Sequence, residues 1–335
     1  MPVFCQIVKE GTQLSEFCFK PAPWVPFQDE EVLSRLRTMT PEQIMKHPNP
    51  GFRIRVGLNM CAVETMDMFS RIKESDDFNR KFVFICGNPN PATYIPLAAA
   101  INERRVNCRN VFPFTMDEWA DDQGKIAPIT YRSGFSYSFL KYFYEKIDPD
   151  LRMPLENIHY PTTGNIADYS DMIDDAGNGG ADVIYSGPGW AGHIAFIDPC
   201  PELIPSYSVG GKYIIKDLND PYFEQKAQVL TLHPLTIMQN SMHGVFGCSG
   251  DIANVPPKAA TIGPRDVLHA KVKQEYHGLT TMGTFSSWQR MTSRLITHGP
   301  VTPYVPGSIY QLMDCTLFMD TELAKPIECM ETTGY

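Results

Sequence analysis

Asp182-Val183-Ile184-Tyr185-Ser186-Gly187-Pro188-Gly189-Trp190-Ala191-Gly192-His193-Ile194-Ala195-Phe196-Ile197-Asp198-Pro199 joins a short β-branched and aromatic run to three glycines and a proline packed between positions 187 and 192. The run reads as a strand. The glycines let the backbone turn sharply and approach a ligand closely. His193 stands just past the last glycine, and the carboxylate of Asp198 follows it. A strand that feeds a Gly-rich loop carrying a titratable side chain is how open α/β sheets present sites at the carboxyl ends of their strands. The plainer alternative is a strand-to-loop turn with a histidine satisfied by backbone, so the rest of the chain has to decide.

Working outward, the same grammar recurs. Phe52-Arg53-Ile54-Arg55-Val56 alternates as a strand with one solvated face, and Asn59 is placed to cap a helix whose apolar face is Val63, Met66, Phe69 and Ile72. Lys81 to Cys86 is a continuous apolar run, the mark of a strand buried on both faces. It runs into Gly87-Asn88-Pro89-Asn90-Pro91-Ala92-Thr93-Tyr94 and then a helix from Ile95 to Ile101. Strand, Gly/Pro-rich turn and helix form a natural anion cradle. Val111 to Thr115 is the next strand, and it runs into Met116-Asp117-Glu118-Trp119 at its carboxyl end. A carboxylate there is costly unless paired or used. Ser133 starts a helix with a core stripe of Phe135, Phe139, Phe143 and Ile147. Further helices are expected from Ile166 to Asp175 and from Tyr222 to Leu230, and short strands at Lys212–Ile215 and within 255–263. The helix after position 288 carries Arg290 and Arg294, which read either as anion ligands or as a solvated i,i+4 face. Residues 1–51 read as a Pro-interrupted extension packed on one α/β domain of residues 52–335, with helix starts at Asp29-Glu30-Glu31 and Thr40-Pro41-Glu42-Gln43.

Composition narrows the class. The 335 residues are 43% hydrophobic and 20% charged, which suits a globular protein with a sizeable core. A net charge of -9 argues against a nucleic-acid or anionic-membrane partner. No apolar run is long enough to span a bilayer, and the first residues lack the pattern of a secretion signal. Nine cysteines without a C-x-x-C pair read as reduced thiols, so a cytoplasmic location is expected. No metal site is indicated, because the eight histidines lack ligand spacing. No cofactor is expected.

Several of these segments carry a resemblance. Gly187-x-Gly189-x-x-Gly192-His193-Ile194-Ala195-Phe196 is similar to the glycine-histidine motif of the glucosamine-6-phosphate deaminase/isomerase family, and Ile194-Ala195-Phe196 sets it apart from the related 6-phosphogluconolactonases. Met116-Asp117-Glu118-Trp119 resembles the family's Met-Asp-Glu-aromatic motif, and the turn at 87–93 its phosphate loop, Gly-x-Pro-x-Gly-x-Thr. Asn240-Ser241 and Val255-Pro256 through Thr261-Ile262-Gly263 resemble further family segments, in the family's order. The likeness spans about residues 52–325. It implies a mostly parallel sheet with helices on both faces, a Rossmann-like arrangement.

The resemblance also implies chemistry. In the family an aspartate moves a proton between C1 and C2 of an opened sugar through an enediol, and a histidine flanked by two carboxylates helps to open the ring. By position Asp117 is the carbon acid/base, His193 the ring-opening group and Asp198 its partner. Gly87, Asn88, Asn90, Thr93, Glu118, Gly187, Gly189 and Gly192 fall at substrate-binding positions. The departures are equally specific. Pro91 and Ala92 replace small residues of the phosphate loop, Asp198 stands for glutamate, and Ala191 replaces an aspartate two residues before the histidine. Met242 replaces an arginine, and the stretch around Ser286 lacks the family's phosphate-binding lysine. His243, beside Met242, is either a substitute ligand or an ordinary core or surface histidine. The expected partner is a sugar or sugar phosphate, with phosphate absent or held differently, and a homo-oligomer is expected. The functional alternatives are an aldose–ketose isomerase or deaminase, a lactonase using His193 as base, and a catalytically degenerate sugar-binding relative.

Overall fold

In the computed structural model, residues 19–87, 89–278 and 288–327 are described. The organising element is a six-stranded sheet, every neighbouring pair of which is parallel. Its strands are β1 (Phe52–Gly57), β2 (Phe82–Cys86), β3 (Val111–Thr115), β5 (Val183–Ser186), β8 (Val272–His277) and β9 (Cys315–Asp320), in the order β1-β9-β8-β5-β2-β3. Parallel strands need covered crossovers, and helices lie on both faces. On one face pack α3 (Met60–Asp77), α4 (Pro91–Glu103) and α5 (Phe135–Tyr142), on the other α6 (Tyr169–Gly177), α8 (Pro264–His269) and α9 (Gln289–His298). β2 shows why both faces read as apolar. Phe82, Phe84 and Cys86 enter one core, Val83 and Ile85 the other, as the two-residue period of a strand requires.

The chain preceding β1 adds two short helices, α1 (Glu30–Arg37) and α2 (Pro41–Ile44). Asp29 caps α1, and Thr40 with Gln43 forms a reciprocal capping box on α2. Leu36, Met39 and Ile44 join the core beneath α9, and Arg35 donates to the carbonyl of His298 at 2.9 Å.

A second sheet departs from the expected pattern. After the single residue Met116 the chain enters β4 (Asp117–Ala120), which pairs antiparallel with β7 (Lys258–Thr261), itself antiparallel to β6 (Gln228–Thr231). The segment expected as a helix over Tyr222–Leu230 is instead a 3-10 turn at Pro221–Glu224 followed by β6. Val229 and Leu230 pair across Ala260 and Ala259, so pairing overrides a weak local helical pattern. Lys212–Ile215 forms no strand, with Ile215 anchored by one backbone bond to Val301. On α3 the buried face is Met60, Met68 and Ile72, while Met66 is exposed. The Phe139, Phe143 and Ile147 stripe lies in one core, whereas Phe135 joins Trp119, Phe196 and Phe246 beside the small sheet.

Candidate active site

The carboxyl ends of β2 and β5 lie side by side where the strand order reverses, and this is where an open sheet forms its crevice. β5 ends in Ser186, paired with Glu275 of β8. The loop that follows is shaped by glycines whose space is already taken. A Cβ on Gly187 would come 2.9 Å from the carbonyl of Tyr276, and one on Gly189 would lie 1.8 Å from His193 Nε2. The imidazole therefore rests directly on the Gly189 backbone. Gly192 has φ +80°, a conformation natural to glycine, and its carbonyl accepts from Gly307 N at 2.6 Å. Ala195 also holds a positive φ of 52°. Strain of this kind clusters at functional loops and persists only when neighbours hold it. Here Phe196 N donates to Thr261 Oγ1 at 3.1 Å and Ile197 N to the carbonyl of Ile194 at 2.9 Å.

The loop buries a two-residue pair. His193 Nδ1 lies 2.6 Å from Asp198 Oδ1, with both side chains almost fully enclosed. Asp198 Oδ1 also accepts from Thr236 Oγ1 at 2.9 Å, and Oδ2 from His233 N at 2.8 Å. Thr236 Oγ1 and His233 N both donate to this carboxyl, and the short contact to His193 is satisfied when Nδ1 donates to it as well. Nδ1 then carries the ring proton, and Nε2 keeps its lone pair. Asp198 thus reaches His193 despite being one methylene shorter than the glutamate it replaces. Ala191, at the other family carboxylate position, is buried. His233 and His243 are both held below the ordinary histidine range, chiefly by burial. His243 is therefore a neutral neighbour of His193, while Met242 is substantially exposed.

Asp117 stands across the crevice. Met116 N donates to the carbonyl of Cys86, the last residue of β2, at 3.0 Å, which sets Asp117 beside the β2 end and Gly87. On β4 its side chain shares a face with that of Trp119. Trp119 packs on Phe196 at 4.8 Å, and Phe196 meets the His193 ring edge-to-face at 5.6 Å. Asp117 also pairs with Thr261, the residue that anchors Phe196. Among the described residues no hydrogen bond reaches the Asp117 carboxyl, which is 6% exposed. Burial, reinforced by the neighbouring Glu118, pushes its pKa well above the usual carboxylate range. Glu118, expected to bind substrate, is turned the other way. It accepts from Trp119 N, Phe135 N and Ser136 N at 2.9–3.2 Å, and so caps α5, whose N-cap Gly134 has no side chain to do so.

The other expected binding residues are spent locally. Asn90 Oδ1 accepts from Ala92 N at 2.9 Å as the cap of α4, and Thr93 Oγ1 donates to Glu64 Oε2 at 3.1 Å. Asn88 and Ser286 lie outside the described residues. Arg294 is neither a solvated residue nor an anion ligand: it is fully buried and donates to the carbonyls of Leu323 and Ala324 at 2.8 and 3.1 Å. Three contributors escaped the sequence reading. Thr236 sits on α7 (Pro234–Ser241), one helical turn before the motif residue Asn240, a spacing that could have pointed to it. Gln239 Oε1 receives Trp190 N at 2.5 Å, and Glu64 lies on α3 with no motif around it. Among the described residues no cluster of three or more His, Cys, Asp or Glu side chains is arranged to hold a metal ion.

Comparison with known proteins agrees with this fold. No family model matches the chain. A glucosamine-6-phosphate deaminase of Lachnoclostridium phytofermentans is 26% identical over 181 residues, 52% of this chain and 62% of that protein. The match thus spans less than two thirds of that relative's length. Among solved structures, a monomeric glucosamine-6-phosphate deaminase superposes with a TM-score of 0.60 at 17% identity, over 81% of this chain and 98% of its own. A 6-phosphogluconolactonase from Trypanosoma cruzi superposes with a TM-score of 0.53 at 14% identity, over 85% of this chain and 99% of its own.

Proposed function

We propose that this chain, a diverged member of the glucosamine-6-phosphate deaminase/isomerase family and a relative of the 6-phosphogluconolactonases, moves a proton between C2 and C1 of an opened sugar or amino sugar through an enediol. The observation that carries the reading is the Asp117 carboxyl: buried, without a hydrogen-bond partner among the described residues, and pushed by burial well above the usual carboxylate range. Asp117 takes the C2 proton, O1 gains a proton as the enediol forms, and the proton on Asp117 is returned at C1. The hydroxyl proton at O2 leaves as the ketone forms. With an amino group at C2 the product imine is hydrolysed, releasing ammonia. His193, its Nδ1–H fixed by Asp198, offers Nε2 to take the anomeric hydroxyl proton and deliver one to the ring oxygen. The loss of a second carboxylate at Ala191 weakens support for the imidazolium and slows ring opening relative to proton exchange.

The test is deuterium exchange at C2, followed by NMR, over a panel of aldoses, amino sugars and their 6-phosphates, with Asp117→Asn alongside. The expected result is exchange on at least one sugar that falls by about 10²–10⁴-fold in the variant. A folded protein silent on the whole panel would remove the reading. Lactone hydrolysis is the second reading, favoured by the completeness of the His193–Asp198 pair, which needs no carbon base. It requires lactone turnover that survives Asp117→Asn and dies with His193→Ala. Homo-oligomeric assembly belongs to the same proposal and is tested by light scattering of the purified chain.

A further inference from the structure

The β2–α4 turn is the place in the crevice where a strand, a Gly/Pro-rich turn and a helix N-terminus would offer free N–H groups to an anion. Those of the first turn of α4 are already used. Pro91 has no N–H, Ala92 N is bound by Asn90 Oδ1, and Thr93 N and Tyr94 N donate to the carbonyl of Asn90, both at 3.0 Å. The Thr93 hydroxyl points at a carboxylate, Glu64 Oε2. Burial pushes Glu64 up to about 7, and the charge of Glu275 adds to the effect. Glu275 is itself fully buried, receiving Ser186 Oγ and lying 3.2 Å from His277 Nε2. This side of the crevice is therefore acidic. Among the described residues no Lys or Arg pairs with Glu64 or Glu275. Burial holds His243 below the ordinary histidine range, and Arg294 is bound to the carbonyls of Leu323 and Ala324 in the short helix that follows β9. The stretch 279–287, Leu-Thr-Thr-Met-Gly-Thr-Phe-Ser-Ser, contains no Lys, Arg or His at all, wherever it lies. A phosphate dianion brought beside Glu64 and Glu275 would lose its hydration without receiving a counter-charge, which costs several kcal/mol in a low-dielectric site.

We propose that the substrate is an unphosphorylated sugar or amino sugar, and that Glu64, beside the β2–α4 turn, takes the place of a phosphate-binding group and accepts from a sugar hydroxyl. This rests on the site assigned under Proposed function, but it concerns binding and not turnover. A carboxyl near its own midpoint at neutral pH can accept from a hydroxyl in its charged form and donate in its neutral form, which suits a neutral polyol.

The decisive measurement is calorimetric binding of the full chain to glucosamine, glucose, the 6-phosphate of each, and inorganic phosphate, at pH 7.5. The expected result is that the free sugars bind at least tenfold more tightly than their 6-phosphates and that inorganic phosphate does not compete. In Glu64→Gln the free sugar weakens by about tenfold and the phosphorylated sugar gains, so that the preference narrows. Tighter binding of either 6-phosphate than of its free sugar, competition by inorganic phosphate, or the absence of binding by every sugar would each overturn the proposal. Sugar binding with the stated preference but without C2 exchange would leave this proposal standing while removing the enediol reading.

Discussion

Two turns in this molecule begin alike and end differently. Each follows a strand buried on both faces, each is rich in glycine and proline, and each lies at the same edge of the sheet. In the turn after β2, the donors close on one another: Asn90 caps the helix, Pro91 removes an N–H, and Thr93 bonds Glu64. In the loop after β5, the contacts run outward to other elements. Asp198 is gripped by α7 through Thr236 and by the backbone of His233, Phe196 by β7, Trp190 by Gln239, and Gly192 by Gly307. The first turn is self-satisfied and has little left to offer a ligand. The second is held rigidly by its surroundings, and among the described residues His193 Nε2 is left without a hydrogen-bond partner.

The sharpest way to break this contrast is at the bases themselves. Asp117→Asn is expected to remove C2 exchange by about 10²–10⁴-fold while leaving sugar binding within a few-fold. The wild-type acid limb of kcat/KM should lie well above pH 4, because the carboxyl must lose a proton whose affinity burial has raised. A limb at the ordinary carboxylate position would contradict the burial argument.

Next in size is Gly189→Ala. The methyl would occupy the position of His193 Nε2, so the ring must rotate or the loop must move. An ångström of displacement costs on the order of 10²-fold in rate, and overpacking costs about 1–3 kcal/mol of stability in denaturant titration. The matched change on the other turn, Gly87→Ala, would place its methyl 3.4 Å from the Tyr185 carbonyl, an ordinary contact. It should shift stability by less than about 1 kcal/mol. Equal effects from the two would erase the distinction.

Thr236→Val comes third. It removes one donor from Asp198 while keeping the shape of the side chain, so it should cost about 1–2 kcal/mol of stability. It should also lower kcat more than it changes KM, since Thr236 acts through the carboxylate that orients His193. A uniform rise in KM alone would assign Thr236 to substrate binding instead.

The last test addresses the closed turn and works through pH. The folded pKa of Glu64 is raised from 4.5 to about 7, so the folded state binds this proton more tightly than the unfolded chain. That contribution is fully present below pH 4.5 and lost as pH rises through 7. Glu64→Gln should therefore be more stable than wild type at pH 8, by at most about 3 kcal/mol, and show no advantage at pH 4. Thermal melts at the two pH values decide it, and equal differences at both would mean that burial does not govern this carboxyl.

The family resemblance singled out Asp117, His193 and Asp198 as candidates. The chemistry-bearing loop, the buried strands at 82–86 and 111–115 and the caps at Asn59 and Thr40 were readable along the chain. Local composition dictates them: apolar runs, capping residues and glycine spacing act within a few residues. The small sheet was not readable. β4 and β6 are short, and their strand state depends on pairing with β7, which lies far away along the chain. Propensity over so few residues cannot compete with that pairing. The roles of polar side chains were hidden for the same reason. Glu118 read as a ligand but caps a helix, and Arg294 read as a surface or anion-binding residue but is bound to carbonyls near the last strand. Thr236, without any chemical signature of its own, holds the Asp198 carboxylate in place.

The sequence by itself thus determined which residues were available for chemistry and that they would sit at strand ends, because strand period, apolar content and turn residues are local properties. Only the tertiary structure decided which of those residues remained free to act. A hydrogen-bonding group is free or spent according to partners brought in from distant segments, and burial in the assembled core is what moves the pKa of Asp117 and Glu64.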